Sequence, residues 1–223
     1  MLSRHRPLAL FIPLVLGATP GCLTFSAAPL APDWTASQLA MPQGANGLTI
    51  GVRPLAELAE ESALIGRPAR QKGLAPFVLL IQNSGECTFN VRSAGIRLET
   101  GHGGSYRLLA LAEVHDRLRF SQGAALWGLP FGILPAFFLG NRVNEQNEHL
   151  LADLQNKVFR DCTVGRERPI QNSILFFDVG PEAAARLVPF DCRVIVEIER
   201  EAFGDLPAEW LRFQLRPTGA RRN

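Results

Sequence analysis

The chain predicts a mainly β fold, an antiparallel sandwich interrupted by one apolar segment and one amphipathic helix. Three observations carry this. Several short runs alternate apolar and polar residues with a period of two. Turn-forming residues separate these runs at short intervals. Between the two groups of runs lies an almost wholly apolar stretch, 124–140, followed by leucines at helical spacing.

The elements follow in order. Residues 1–21 carry basic residues at the front (Arg4, Arg6), an apolar middle from Leu8 to Gly17, and small residues at the end. That is the layout of a cleaved export leader. The apolar part is too short for a bilayer crossing of roughly 20 residues. Residues 22–46 are rich in Ala, Pro, Ser and Gln and read as a flexible tether. The sandwich domain is expected over 47–217, with an insertion over 120–162 and a tail over 218–223.

In the first strand Leu48, Ile50 and Val52 point one way and Thr49, Gly51 and Arg53 the other. Leu55 to Leu64 fits one or two helical turns, or a loop. Pro76 to Ile81 is a continuous apolar run ended by Gln82-Asn-Ser-Gly85, which predicts a central strand. Thr88 to Val91 suggests another strand, Ile96 and Leu98 a further one, and Tyr106 to Leu111 one more after the turn Gly101-His-Gly-Gly104. Leu150, Leu151, Leu154 and Val158 line one face of a helix, with Glu145, Glu148, Asp153 and Lys157 on the others. Asn141 or Asn144 can cap its start. Strands resume at Ser173–Val179, at Val194, Val196 and Ile198, and at Leu211, Phe213 and Leu215. The commonest architecture with this pattern is Ig-like.

Cleavage after residue 21 leaves 202 of the 223 residues, enough for one domain with a substantial core. Arg4 and Arg6 leave with the leader, so 21 basic residues face 21 acidic ones. A neutral chain lacks the clustered positive charge that nucleic acid requires, so nucleic acid is not an expected partner. Three cysteines remain besides Cys22, namely Cys87, Cys162 and Cys192. An exported compartment permits disulfides. Spacing does not decide the pair; Cys162 with Cys192 is preferred because each follows an Asp near the start of an extended segment. No Cys-x-x-Cys and no His at ligand spacing from a cysteine is present, so neither metal nor cofactor is expected.

Gly21-Cys22 at the end of the leader resembles the lipobox of bacterial lipoproteins, although Thr19 and Pro20 depart from its usual residues. The resemblance implies a diacylglycerol and an acyl chain on Cys22, and therefore a membrane partner. Leu23 is not the Asp that retains some lipoproteins in the inner membrane, so the periplasmic side of the outer membrane is favoured. Ala75 to Asn83, Leu150 to Leu154 with Lys157 and Phe159, and Ile174 to Phe177 look like framework segments of uncharacterised exported lipoproteins with an Ig-like sandwich and an apolar insertion. That likeness implies architecture and no catalytic residue.

Within 124–140, Pro130 and Pro135 interrupt helix continuity. One reading makes the segment a buried cover over a sheet. The other makes it a bent hairpin that meets the membrane or an envelope protein through Trp127, Leu129, Phe131, Ile133, Leu134, Phe137 and Phe138. Catalytic signals are sparse. His102 sits in a glycine turn, but no Gly-x-Ser-x-Gly elbow accompanies it. His115 and Asp116, read as strand neighbours, point to opposite faces. His149 has Glu145 and Glu148 as helix neighbours. Glu197, Glu199 and Glu201 line one strand face, which reads as a solvated side with a divalent-cation site as the alternative. The expectation is a non-enzymatic, lipid-anchored envelope module that binds or scaffolds. The alternative is an exported hydrolase or lipid-handling enzyme.

Overall fold

The computed structural model describes residues 25–30, 43–121, 133–186 and 192–216, and only the backbone of 133–139 and 185–186. The chain is mainly β. One sheet is built from β1 (Gln43–Ala45), β2 (Leu48–Pro54), β3 (Leu74–Asn83) and β7 (Ile170–Asp178), in the order β1-β2-β3-β7. The second holds β4 (Phe89–Thr100), β5 (Ser105–Arg107), β6 (Cys162–Val164), β8 (Cys192–Arg200) and β9 (Glu209–Leu215), in the order β5-β4-β8-β9. β6 pairs with the first part of β4. Every pairing between strands is antiparallel.

The two sheets share one core. β2 contributes Leu48, Ile50 and Val52, and β3 contributes Phe77, Leu79 and Ile81. From the opposite sheet come Phe89, Ile96 and Leu98 on β4, Val194, Val196 and Ile198 on β8, and Phe213 and Leu215 on β9. Phe77 and Phe177 meet edge to face at 5.8 Å, a favoured aromatic geometry.

A second core explains why β3 is apolar without alternation. Leu74 and Val78 on β3 and Ile174 and Phe176 on β7 point away from the other sheet, into a layer of helices. That layer consists of α1 (Leu58–Ile65), α2 (Leu111–Leu118) and α3 (Ile133–Lys157). Leu64, Ile65, Val114, Leu118, Leu150 and Leu154 are among its buried residues. A strand buried on both faces needs apolar residues at successive positions. A short helix, α4 (Pro181–Arg186), follows β7.

Several expectations are corrected. The separate strands expected at 88–91 and 96–98 are one strand, β4, interrupted by a bulge. Val91 pairs with Ile198 and Ile96 with Val196, so four residues face Glu197 alone. The three extra residues restore the alternation, and both Val91 and Ile96 point inward. Gly95 permits the close approach, since a Cβ there would lie 2.6 Å from the Glu197 carbonyl oxygen.

The strand expected from Tyr106 to Leu111 ends at Arg107, and α2 begins at Leu111. Leu111, Val114 and Leu118 have helical spacing, and the Glu113 carboxylate reaches back to accept from the Ala110 N–H at 2.9 Å. Helix α3 begins at Ile133, so Asn141 and Asn144 lie inside it and cap nothing. Pro135 sits in its first turn, where the missing N–H has no intrahelical acceptor in any case.

Parts of the expected 22–46 tether belong to the domain. Residues 43–45 form β1, joined to β2 through Asn46 (φ 54°) and Gly47 (φ 82°). Positive φ at both positions makes the tight hairpin turn that Asn-Gly favours. Phe25 and Leu30 pack against the helical core.

Candidate functional site

The amino-terminal segment is seated on the helices by a buried lysine. Asp153 and Lys157 are four apart on α3 and share a face. Lys157 is 3 % exposed. Its Nζ donates to the Ala28 carbonyl at 2.6 Å, to the Leu64 carbonyl at 2.8 Å and to Asp153 Oδ2 at 2.8 Å. All three ammonium protons thus have acceptors, which lets a cation sit inside. Lys157, expected on a face other than that of the leucines, is thus buried beneath segment 25–30. Its charge fits the carbonyl end of α1, where Leu64 lies, because helix C-termini favour cations.

Two further contacts extend the seat. The Phe25 N–H donates to Gln146 Oε1, and the Ala28 N–H donates to the Ala63 carbonyl at 2.7 Å. The Phe25 ring fills the space beside Gly66, where a Cβ would stand 2.4 Å from it. Gly66 ends α1 in the left-handed region, at φ 75°. Close by in sequence, the Arg67 guanidinium stacks 4.0 Å over the Phe120 ring. Asn147 on α3 accepts from the Phe120 N–H at 2.6 Å. Segment 25–30, α1, the end of α2 and the middle of α3 are thereby tied together.

Of the residues expected to contact membrane or partner, Cys22, Trp127, Leu129 and Phe131 lie outside the described residues. Ile133, Leu134, Phe137 and Phe138 form the first turns of α3, and their side chains lie outside the description. Among the described residues, no helix is long and apolar enough to cross a membrane.

Cys162 and Cys192 do not bond to one another. Cys162 lies opposite Val91 and Cys192 opposite Thr100, nine residues apart along β4 and on its opposite edges. A disulfide requires Cα atoms within about 7 Å. Burial, with Asp161 beside it, pushes the Cys162 thiol up to about 11, so it stays a thiol and a poor nucleophile at neutral pH.

Cys162 lines an open, polar cleft of roughly 910 Å³ between β4, β6 and the 165–168 turn. Asp161 holds the bulge of β4 there, accepting from the Ser93 N–H at 2.7 Å, and this bond keeps its carboxyl below the ordinary range. Thr163 donates to Asn90 Oδ1 at 2.8 Å, and Arg166 meets Glu86 at 3.3 Å.

The histidines are not brought together. His102 is exposed in the β4–β5 turn, where Thr100 and Gly104 close the hairpin (N···O 2.9 Å). His115 lies on α2, a helix rather than the expected strand, with Nε2 at 3.3 Å from the Asn147 carbonyl. His149 pairs weakly with Glu145 at 3.9 Å on α3. The glutamates of β8 do share an outer face, but arginines interleave with them. Arg97 reaches Glu197 at 3.2 Å, Arg92 reaches Glu199 at 3.2 Å, and Asn90 donates to Glu201 at 2.8 Å. Among the described residues, no three His, Cys, Asp or Glu gather as a metal would need.

Compared with known protein families, curated proteins and solved structures, the chain matches none of them.

Proposed function

We propose that the protein is a lipid-anchored module of the bacterial cell envelope that binds or scaffolds rather than catalyses. The anchor is acylated Cys22, the favoured site the periplasmic side of the outer membrane, and the contact surface the apolar segment 124–140. One observation supports this above the rest. Segment 25–30, which begins three residues after Cys22, is fixed to the same helix whose first turns carry Ile133, Leu134, Phe137 and Phe138. The described segment nearest Cys22 and the helix that carries the apolar turns therefore belong to one packed layer.

An Ig-like sandwich underlies the reading. The orders β2-β3-β7 and β4-β8-β9 coincide with the A-B-E and C-F-G orders of that fold, and α2, α3 and the apolar segment fall between the third and fourth of those strands.

The test has two parts. Labelled palmitate should enter the wild type and not Cys22→Ser, and only the wild type should remain with the membrane fraction. Phe137→Asp with Phe138→Asp should then weaken binding of the unacylated chain to vesicles of phosphatidylethanolamine and phosphatidylglycerol, or to a cross-linked envelope protein. An unacylated native terminus refutes the anchor. Unaltered contact in the double variant refutes the surface.

A further inference from the structure

Strand β9 ends the second sheet, and its outer edge carries backbone groups that point away from β8. Antiparallel strands direct alternate residues' N–H and C=O groups to opposite edges. Gln214 turns both of its groups away from β8: its carbonyl accepts from Gln43 Nε2 at 2.9 Å and its N–H donates to Gln43 Oε1 at 3.2 Å. Trp210 and Arg212 have the same parity, so their backbone groups also face outward. Among the described residues no strand pairs with this edge. Gln43 caps one position, and among the described residues no backbone partner is seen at these two.

Strand β9 and the connection leading into it carry exposed apolar residues. Trp210 is 61 % exposed, and Phe203 and Leu206 are 48 % exposed each. Phe203 and Leu206 exchange two backbone bonds of 3.0 Å around Gly204-Asp205, which holds the pair in place. A large exposed apolar residue such as Trp210 on a strand edge without a described partner marks an interaction site.

We infer that a second copy of this chain pairs antiparallel along β9, with a two-fold axis at Leu211. Only this register sets the outward groups of Trp210 opposite those of Arg212, twice by symmetry. It also faces each indole with the partner's guanidinium, a favourable cation–π arrangement. Shifting the axis to Arg212 would set arginine against arginine and bring Gln214, already capped, into the pair. Such an interface is isologous and closes at two copies. It is independent of the amino-terminal anchor.

The test uses the full chain in mild detergent. Leu211→Cys should give a covalent dimer on gentle oxidation, because residues at a non-bonded position on the axis have Cα atoms about 4.5 Å apart. The wild type, with its native cysteines, and Gln214→Cys should not. By sedimentation velocity the wild type should dimerise, and Trp210→Ala should weaken it about tenfold through two lost cation–π contacts. Arg212→Pro removes an outward N–H, which an edge strand tolerates, together with the guanidinium that lies 3.8 Å from Glu197, and should abolish dimerisation with an unchanged circular dichroism spectrum. If that variant unfolds, Trp210→Glu serves instead. A monomer at 100 µM (a chosen test concentration of about 10⁻⁴ M, where weak pairs of Kd near 1 µM saturate), or open-ended oligomers, would overturn the inference.

Discussion

Replacing Lys157 with Met should loosen the amino-terminal seat and cost the whole domain stability. The side chain is 4 % exposed and its Asp153 partner 20 %. Removing one member of a buried pair typically costs about 3–5 kcal/mol, because the other charge is left unpaired. Asp153 retains some contact with water and can rehydrate, which places the loss near the lower end, about 3 kcal/mol. The Ala28 and Leu64 carbonyls lose their donor in the same step. For a domain of this size each kcal/mol lowers Tm by about 2–4 °C, so a fall of about 6–12 °C is expected. Circular dichroism melts measure it. Limited proteolysis should then cut near residues 25–30 in the variant and spare them in the wild type. Adding Asp153→Leu should recover part of the loss, since no orphaned carboxylate remains. A Tm change below about 2 °C, with unaltered proteolysis, would refute the reasoning that Lys157 holds the segment.

Gly95→Ala should destabilise by about 2 kcal/mol in urea titration, since the new Cβ meets a backbone carbonyl that cannot yield; a neutral result would mean the bulge is looser than described. Arg107 chiefly, and then the Ala110 N–H, hold the Glu113 carboxyl down to about 2. A depressed carboxyl contributes stability that is present above its ordinary value near 4.5 and lost as pH falls towards 2. Glu113→Gln should therefore be the less stable form at pH 6, by a small margin because the pair is solvent-screened, and equal the wild type near pH 2. Thermal melts across that range would show it, and a gap that widens with acid would contradict it. Cys162 should resist iodoacetamide at pH 8 in the folded protein and react fully in urea, as peptide mapping would reveal; rapid labelling of the native thiol would count against its burial.

Much of the β framework was legible because half-buried strands write a period of two into the chain. Leu48, Ile50 and Val52, and likewise Val194, Val196 and Ile198, point inward as that period requires. Where the period is broken, it misled. The extra residues at Arg92 to Gly95 made one strand read as two, because a bulge shifts the phase locally. Helix α2 was mistaken for strand because it is short and its N-cap, Ala110, is not one of the residues that mark a helix start. The Asn46-Gly47 pair is a strong hairpin signal, and it marked β1 inside what composition alone described as tether.

Lys157 was the residue sequence reasoning missed. A lysine four after an aspartate reads as a surface pair, and nothing local reveals that Ala28 and Leu64, far away in the chain, supply two more acceptors. The Cys162–Cys192 pairing failed for the same reason. Which edge of β4 each neighbour takes is decided by long-range pairing, not by the residues beside each cysteine.

With Cys22 acylated as proposed, seating Phe25 to Leu30 would shorten the leash between domain and bilayer. Were all of 22–46 free, its contour could reach about 85 Å, at about 3.5 Å per residue. The three residue steps from position 22 to Phe25 allow at most about 11 Å. A domain held that closely cannot sweep the space around it. Under that proposal a binding partner would come to the lipid surface and meet the same side of the protein each time.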